Sequence, residues 1–400
     1  MRRVRYFYRR FLRKFHRAMN HVEIFATDVL YDRKKSLGTT CVSLILLPLS
    51  FLFTLVVRLR HLLYAKRIFT SDVLGCPVIV VGNLTVGGTG KTPVVEKIAR
   101  ELHERGRKVA ILSRGYKSKS EPKWRTFVRW MTHRDEPPPR VVSNGKSVLL
   151  DSEVAGDEPF MLAKNLPGVV VIVDKDRVKA GCYAINKFGV DIIILDDGFQ
   201  YFPLRGHVNL LLIDKTNPFG NKCLLPRGIL REPISQIKRA SYVLLTKSNN
   251  VFNDSIIDMI KSHNPDAKII ECAHFPRNLS TIHDNEVKPI NIMKGGKIMA
   301  FSGIASPDGF EGFLLQNGAE IVYKKRFVDH HRFSKNELEN IFNIACAREA
   351  TLAITTEKDA VRIPKDFAFP IPTYFLKIDI EIVAGEKIFE EAISKFDMAS

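Results

Sequence analysis

The sequence feature that most constrains the fold is a glycine-rich segment between an apolar run and an amphipathic stretch. Residues 78–81 read VIVV, residues 85–92 read TVGGTGKT, and a helical pattern of apolar side chains follows at 92–105. A strand, a glycine-rich turn ending in Gly-Lys-Thr and a helix, in that order, are the context of a phosphate-binding loop. Backbone N–H groups of such a loop and the positive end of the helix bind phosphate oxygens. The segment therefore predicts a nucleoside triphosphate site within an α/β fold.

Two side chains at the end of this segment carry the expected chemistry. A lysine in the position of Lys91 reaches the β- and γ-phosphates, and the hydroxyl of Thr92 coordinates Mg²⁺. The position that is usually the first glycine of the motif is Thr85 in this chain. The residues that we expect to contact the nucleotide are Thr85, Val86, Gly87, Gly88, Thr89, Gly90, Lys91 and Thr92.

Short runs of Val, Ile and Leu alternate with amphipathic stretches from residue 77 onward. Strands are predicted at 77–81, 108–112, 169–173, 190–195, 208–213 and 242–245, and helices at 92–105 and 177–188. Continuous apolar strands separated by helices indicate a mostly parallel sheet that is covered on both faces. A second, shorter series of strands is predicted at 297–304, 320–323, 352–355 and 372–380.

These patterns predict an α/β fold with a P-loop NTPase-like parallel sheet and a second, smaller α/β lobe. An N-terminal membrane-associated helix precedes them. The predicted division is a basic segment and membrane-associated helix at 1–67, a P-loop domain at 68–290 and the smaller lobe at 291–400. The boundary near residue 290 lies in a stretch rich in Asn, Lys and Gly.

Two adjacent acids follow one of the predicted strands. Residues 191–200 read DIIILDDGFQ, so Asp196 and Asp197 come directly after four apolar residues. Because ligands of a parallel sheet bind at the carboxyl ends of its strands, one of this pair is our candidate for holding or orienting Mg²⁺. In isolation such a pair is as often a capped turn, but beside a phosphate loop the metal role is favoured.

The positive charge of the chain is concentrated at its N-terminus. Residues 1–67 contain 15 Lys and Arg against 3 Asp and Glu, within a whole-chain net charge of +18. Residues 2–17 interleave Arg with Phe at helical spacing, which predicts a basic amphipathic helix at a membrane interface. A solvated basic tail is the alternative.

An apolar run at 41–57 follows, with positive charge on both sides. It is close to the lower limit for crossing a hydrocarbon layer of ~30 Å, and it contains Pro48. Flanking charge on both sides gives no direction for a crossing. We interpret the run as a helix dipped into one leaflet with the rest of the chain in the cytoplasm, and a single span is the alternative.

Composition argues against other classes of partner. The aromatic residues of the basic region come with an apolar block and without a motif that reads bases, which disfavours nucleic acid. Six cysteines lie far apart in the sequence, which suits neither a disulfide framework nor a zinc site and indicates a reducing compartment. No feature of the sequence indicates an obligate protein partner.

Several motifs in order along the chain resemble the tetraacyldisaccharide 4'-kinase family, which acts on a lipid A precursor. The matching blocks are LLPLSFLF at 46–53, VGNLTVGGTGKTP at 81–93, LSRGY at 112–116, GDEP at 156–159, DDGFQ at 196–200, LLPRGILREP at 224–233, VDHHRF at 328–333 and TTEKDAVRI at 355–363. Many families share the phosphate loop alone. DDGFQ, GDEP and TEKDAV at these spacings are far more specific.

The resemblance implies a kinase that uses ATP and Mg²⁺. Its reaction would transfer the γ-phosphoryl group to the 4'-hydroxyl of an acylated glucosamine disaccharide 1-phosphate, giving lipid IVA. It also implies two α/β lobes with the active site between them and an N-terminal helix at the cytoplasmic face of the bacterial inner membrane, bound peripherally or monotopically. The implied membrane helix agrees with our interpretation of the apolar run at 41–57.

The resemblance also implies roles for residues outside the phosphate loop. Asp157 of the GDEP motif matches the family's proposed base, and His330 matches a histidine that pairs with it. Because His330 falls in the smaller lobe, closure of the lobes would bring the pair together. The catalytic set is then Asp157, His330 and Lys91, and the residues implied at the metal are Thr92, Asp196, Asp197, Glu158 and Glu232.

The sequence does not decide the roles of several further residues. Arg231 could contact phosphate; Glu357 is read as a capping residue, and Lys358 as either a cap or a site residue. The family has His where this chain has Tyr201, which places an acid–base role there in doubt because Tyr does not titrate near neutrality.

A membrane-bound ATPase switch is a competing class, but such proteins carry an extra lysine where this chain has Thr85 and Val86. A soluble small-molecule kinase would leave the run at 41–57 unexplained.

Overall fold

A computed structural model describes residues 25, 27–32, 36–115, 137–248 and 254–397. The amphipathic helix predicted at 2–17 lies outside these residues. The helices are α1 Leu37–Ala65, α2 Lys91–Glu104, α3 Ser152–Ala155, α4 Asp157–Asn165, α5 Arg177–Phe188, α6 Asp254–His263, α7 Pro307–Gln316, α8 Lys335–Ala347, α9 Glu357–Ala360 and α10 Glu386–Ser394. Short 3₁₀ helices cover Ile234–Arg239 and Ile290–Met293.

The strands join into a single sheet. They are β1 Val78–Asn83, β2 Val109–Ser113, β3 Arg140–Asn144, β4 Val170–Val173, β5 Ile192–Asp196, β6 Val208–Asp214, β7 Tyr242–Thr246, β8 Lys268–Thr281, β9 Val287–Lys288, β10 Lys297–Ser302, β11 Glu320–Arg326, β12 Leu352–Thr356 and β13 Thr373–Ala384. Their order across the sheet is β11-β10-β12-β13-β8-β7-β6-β1-β5-β2-β4-β3, with β9 paired to β8. All the strands predicted from apolar runs are present, and so are both predicted helices.

The central strands are parallel and are buried on both faces. β1 lies between β5 and β6 and is parallel to both. Successive side chains of a strand point to opposite faces, so Ile79 and Val81 pack with α2 while Val78 and Val80 pack with α5. Covering both faces explains why these strands read as continuous apolar runs rather than alternating ones. It also places the ends of β1 and β5 side by side at one edge of the sheet.

Two long antiparallel strands connect the larger part of the sheet with the smaller lobe. β8 and β13 pair along most of their lengths, from Tyr374 opposite Thr281 to Ala384 opposite Glu271. The smaller lobe is built on β10, β11 and β12, with separate apolar clusters on its two faces around Phe301 and Leu314. The sheet is therefore continuous through both lobes.

The last described helix returns to the larger part of the molecule. Phe389, Ile393 and Phe396, in and just after α10, pack in the same cluster as Ile79 and Ile98. Residues 386–397 thus close the core that the phosphate-loop helix builds, although they follow the smaller lobe in sequence. The division at residue 290 stays a prediction.

Helix α1 is a 29-residue helix, and most of its apolar side chains face away from the protein. Ser36 and Thr39 form a capping box at its start. The exposed large apolar residues along it include Leu44, Ile45, Leu47, Leu49, Phe51, Leu52, Leu55, Val56, Leu59 and Leu62. By length and composition the helix could cross a membrane, although one such helix is weak evidence for a crossing.

The opposite stripe of α1 is fixed to the body of the protein. The hydroxyl of Ser50 donates a hydrogen bond to the carbonyl of Leu224 at 2.7 Å. Val57 is buried in the cluster that covers β6 and β7, and the ring of Tyr64 stacks on Phe202. The helix is therefore amphipathic in its packing: one face belongs to the fold and the other is apolar and uncovered.

Candidate active site

The phosphate loop lies where the sequence predicted it, between the end of β1 and the start of α2. Gly87 and Gly90 have positive φ angles of 108° and 77°, which a glycine adopts at little cost. Gly90 also lies against β8, because a Cβ there would be 2.8 Å from Nε2 of His274. A side chain at this position would therefore distort the loop just before Lys91.

The loop is held by neighbours far away in sequence. The amide of Val86 donates a hydrogen bond to the carbonyl of Ile229 at 2.7 Å, and the hydroxyl of Thr246 donates one to the carbonyl of Thr89 at 2.9 Å. Thr85, which replaces the usual glycine, is 6% exposed and forms a bridge with Leu230. These contacts hold the conformation of the loop.

Lys91 points at the acids that follow β5. Its Nζ lies 3.3 Å from Oδ1 of Asp197 and donates to Oδ1 of Asn83 at 3.2 Å. Arg231 binds the same carboxylate with both terminal nitrogens, at 3.0 and 2.9 Å. Burial alone would raise the pKa of Asp197, but the charges of Lys91 and Arg231 lower it well below its usual range. Asp197 therefore orients the two cations that face the phosphate site.

Asp196 sits in a different environment from its neighbour. It is 4% exposed and accepts a hydrogen bond from the hydroxyl of Ser113 at 3.1 Å. Burial, followed by the charges of Glu158 and Asp197, raises its pKa to about 7. A carboxylate crowded by like charges is favourably placed for a divalent cation, since the cation removes the repulsion.

Of the two acids, Asp196 is therefore the one whose charge a bound cation would stabilise more. Among the described residues, no group of three or more His, Cys, Asp and Glu side chains is arranged to hold a metal ion by itself. Magnesium in phosphate-loop proteins does not need one, because a hydroxyl, a carboxylate, phosphate oxygens and water complete its shell. Thr92 and Asp196 fit that description.

A second charged cluster forms where the two lobes meet. Nδ1 of His330 lies 3.2 Å from Oδ2 of Asp157, so the structure brings together the pair that the sequence placed in different lobes. The guanidinium of Arg362 donates to the same oxygen at 2.8 Å, and Arg332 donates to Oδ1 at 3.2 Å. The lobes are thus already close enough to assemble the pair.

The cluster keeps Asp157 ionised. Burial would raise the pKa of this carboxyl, but its neighbours His330, Arg362 and Arg332 together lower it. At neutral pH the group is therefore a carboxylate, the form that can accept a proton. Its position as the first residue of α4 also favours negative charge, because the helix dipole is positive there.

Glu158 links this cluster to the phosphate loop. Its Oε1 accepts from Nζ of Lys358 at 2.5 Å. Its pKa is lowered because the charge of Lys358, with further contributions from Lys91 and His330, outweighs the cost of burial. Since Glu158 in turn raises the pKa of Asp196, its carboxylate acts on the metal site through its charge.

The contacts of Glu232 differ from those expected of the predicted metal ligand. This carboxylate is fully buried. One oxygen is 3.2 Å from both Arg60 and His61 of α1, and the other is paired with Arg239. A cation would have to displace these partners, so Glu232 fixes α1 to the body instead. Its neighbour Arg231 points the other way, toward Asp197.

Tyr201, which replaces the histidine typical of the family, has a structural role. Its hydroxyl accepts from the amide of Arg177 at 3.1 Å and donates to Oδ1 of Asp176 at 3.3 Å, at the start of α5. The guanidinium of Arg177 lies over its ring. Burial raises the pKa of the phenol, so it does not ionise near neutrality.

Two arginines of the site were not predicted from the sequence. Arg332 follows the DHH motif and Arg362 lies in the TTEKDAVRI block, yet their common partner Asp157 is 175 and 205 residues away. For Arg362 a signal was available, because a lone charged residue between Val361 and Ile363 is usually buried with a partner.

The phosphate loop follows the central strand, two acids follow the neighbouring strand, and a charged cluster lies beside them. Together these features define a P-loop nucleotide-dependent phosphotransferase. The sequence pattern of one family, LpxK, described as tetraacyldisaccharide-1-P 4'-kinase, matches residues 42–396. The chain belongs to this tetraacyldisaccharide 4'-kinase family.

Individual relatives agree with this assignment. A tetraacyldisaccharide 4'-kinase of Halothermothrix orenii is 34% identical over 394 residues, which is 94% of this chain and 98% of that protein. One from Geobacter sulfurreducens is 38% identical over 81% of this chain and 85% of its own length. A crystal structure of LpxK from Aquifex aeolicus in complex with ATP superposes with a TM-score of 0.68 at 30% identity, covering 88% of this chain and 99% of that one.

Proposed function

We propose that the chain transfers the γ-phosphoryl group of ATP to the 4'-hydroxyl of a tetraacyldisaccharide 1-phosphate, giving lipid IVA. The observation that carries the proposal is the arrangement of two charged clusters that share Glu158. On one side lie the phosphate loop, Lys91 and Asp196, and on the other lies the pair Asp157 and His330. An acceptor hydroxyl between them would face both the phosphoryl group and a base.

The phosphate side supplies charge neutralisation. The backbone of residues 85–90 and the start of α2 would hold the phosphates, and Lys91 would contact the β- and γ-phosphates. Thr92 and Asp196 would hold Mg²⁺, which neutralises charge on the same phosphates when bound. Arg231 lies 3.0 Å or less from Asp197 and 3.2 Å from the carbonyl of Asn83, so it keeps this edge of the site rigid.

Asp157 is proposed as the base. In the reaction the 4'-oxygen forms a bond to the γ-phosphorus, the bond from that phosphorus to the bridging oxygen of ADP breaks, and the hydroxyl proton passes to the carboxylate. A carboxylate with a lowered pKa is a weak base, but the transition state of phosphoryl transfer is loose and gives the nucleophile little positive charge. Orientation of the hydroxyl therefore matters more than basicity.

The lipid acceptor is proposed to reach the site along α1. Ser50, Val57 and Tyr64 fix one stripe of the helix to the body, while its opposite face is exposed from Leu44 to Leu62. A helix that is attached to the protein along one stripe cannot be surrounded by lipid, which favours insertion into one leaflet over a crossing. The uncovered apolar face would then lie in the cytoplasmic leaflet of the inner membrane, beside Glu232 and the site.

A transfer assay tests the proposal. Purified full-length chain is incubated with Mg²⁺, γ-labelled ATP and the tetraacyldisaccharide 1-phosphate in detergent micelles, with Asp157→Asn as the matched variant. Labelled lipid from the wild type, and much less from the variant at equal ATP affinity, is expected. Brisk ATP hydrolysis without labelled lipid would overturn the proposal and favour the ATPase switch.

A further inference from the structure

The smaller lobe places two cations on the two acids at the start of α4. Arg362 contacts Asp157 at 2.8 Å, and Lys358 contacts Glu158 at 2.5 Å. Both cations lie in or just after α9. The hydroxyl of Ser152, before α4, also donates to the carbonyl of Val361 at 2.8 Å. The proposed active site thus meets the smaller lobe at residues 358–362, in addition to its contacts with His330 and Arg332.

The guanidinium of Arg362 makes several contacts in the site besides its ion pair with Asp157. Its side chain is completely buried. Its Nε donates to Asp157 at 2.8 Å, its Nη1 donates to Asp359 at 3.1 Å and to the carbonyl of Gly303 at 3.0 Å, and its Nη2 lies 3.1 Å from Nδ1 of His330. A single planar group therefore touches both members of the candidate pair.

The guanidinium is itself held in place. Asp359 is fully buried and accepts hydrogen bonds from the amide of Gly303 at 3.0 Å and from the hydroxyl of Thr356 at 2.6 Å. Because Asp359 and the Gly303 carbonyl fix Nη1, the other two guanidinium nitrogens, Nε and Nη2, are directed at Asp157 and His330. A lysine could supply the charge but not this geometry.

One ring nitrogen of His330 faces two groups at almost equal distance. Nδ1 is 3.1 Å from Nη2 of Arg362 and 3.2 Å from Oδ2 of Asp157. A guanidinium can only donate hydrogen bonds, and an ionised carboxylate can only accept them. Nδ1 must carry a lone pair to bond Arg362 and a proton to bond Asp157, so the two hydrogen bonds exclude each other.

The geometry points to Arg362 as the residue that decides between them. Oδ2 of Asp157 already accepts a hydrogen bond from Nε of Arg362 and Oδ1 accepts one from Arg332, so the carboxylate keeps partners without His330, whereas Nη2 of Arg362 has its acceptor only at Nδ1 among the hydrogen bonds it makes in the described residues. We propose that Arg362 is a positioning residue, which holds Asp157 and His330 in register across the lobe interface and keeps the proton of neutral His330 on Nε2. This inference rests on the proposed function for its consequence in catalysis.

The proton position can be measured without the lipid substrate. The full-length chain, labelled with ¹⁵N at its histidine rings, is studied by NMR in detergent, and the His330 signal is identified by its loss in His330→Gln. We expect the Nε2–H tautomer of neutral His330 in the wild type. We expect that tautomer to be lost or mixed in Arg362→Lys, and kept in Arg332→Lys, which removes the other guanidinium, the one on Oδ1 of Asp157.

Kinetics provide the second test. Arg362→Lys is expected to lower kcat at least about tenfold, and at most by the ~10²–10⁴ that a positioned base contributes, with the KM for ATP unchanged within about twofold. An Nδ1–H tautomer in the wild type would overturn the inference, and so would normal kcat and an unchanged tautomer in Arg362→Lys. If Arg362→Lys does not fold, the wild-type tautomer alone decides. Failure of the proposed function would instead show as a wild type that does not phosphorylate the lipid.

Discussion

The substitution Glu232→Gln tests whether Glu232 fixes α1 to the body of the protein or holds the metal ion. The substitution keeps the shape of the side chain and removes its charge. The carboxylate is fully buried against Arg60, His61 and Arg239. Leaving buried cations without their anion typically costs about 3–5 kcal/mol. Arg60 is 40% exposed, so solvent screens part of that cost, and we expect a loss of about 2–4 kcal/mol.

Thermal unfolding measures this loss. For a protein of this size we expect the apparent melting temperature of Glu232→Gln to fall by about 5 °C, given that ~1 kcal/mol shifts large domains by a few degrees at most. Glu391→Gln is the matched control, because Glu391 also pairs with a cation, Lys268, but on the surface. No measurable change is expected for the control.

The metal requirement decides between the two roles. If Glu232 fixes α1 to the body, the Mg²⁺ concentration that gives half-maximal turnover should be the same in Glu232→Gln and the wild type. An unchanged melting temperature together with a large increase in that Mg²⁺ concentration would refute our reasoning. It would restore Glu232 to the metal site.

Three further predictions concern the site and the membrane helix. Asp157→Ala should lower kcat by about 10²–10⁴, the range for loss of a positioned base, while ATP affinity measured by fluorescence titration stays normal. Asp196→Asn should raise the Mg²⁺ concentration needed for turnover, because the variant cannot supply an anionic ligand. Replacing the exposed Leu52 of α1 by Asp should reduce vesicle binding in a sedimentation assay without changing the melting temperature, whereas Val57→Asp should lower the melting temperature because Val57 is buried.

The sequence predicted the parts of the fold whose determinants are local. β1, β5, β6 and β7 are buried on both faces, so each reads as a continuous apolar run. The phosphate loop is also local, since strand, glycines and helix follow one another within 30 residues. These elements agree with the predicted positions.

The elements that the sequence did not reveal are those with a mixed environment. β8 reads KIIECAHFPRNLST, and its buried, half-buried and exposed positions follow one another irregularly, so it has neither an apolar run nor a regular period of two. β3 is a short antiparallel edge strand that begins with Arg140. β8 and β13 together make the two lobes one sheet, and sequence alone could not show their pairing.

The site was predicted in its residue types better than in its contacts. Asp157, His330 and Lys91 lie in the clusters that the motifs suggested, because each motif carries its own chemistry. The contacts of Glu232 were not predicted, because an acid beside a site can hold either a metal or a buried cation, and its partner Arg60 is 172 residues away. A separation of 205 residues likewise hid the contact between Arg362 and Asp157. Charge shows that a partner is needed, but only the fold shows which one.

In the proposed reaction the γ-phosphoryl group of ATP ends on the 4'-oxygen of the disaccharide lipid. The most direct measurement is the position of the new phosphate in the product, determined by ³¹P NMR and mass spectrometry. It is compared with a reaction on the same lipid in which the 4'-hydroxyl is replaced by hydrogen. We predict one added phosphate at the 4'-position, and none on the 4'-deoxy lipid. Phosphate on the 4'-deoxy lipid, or at any other position, would contradict the account.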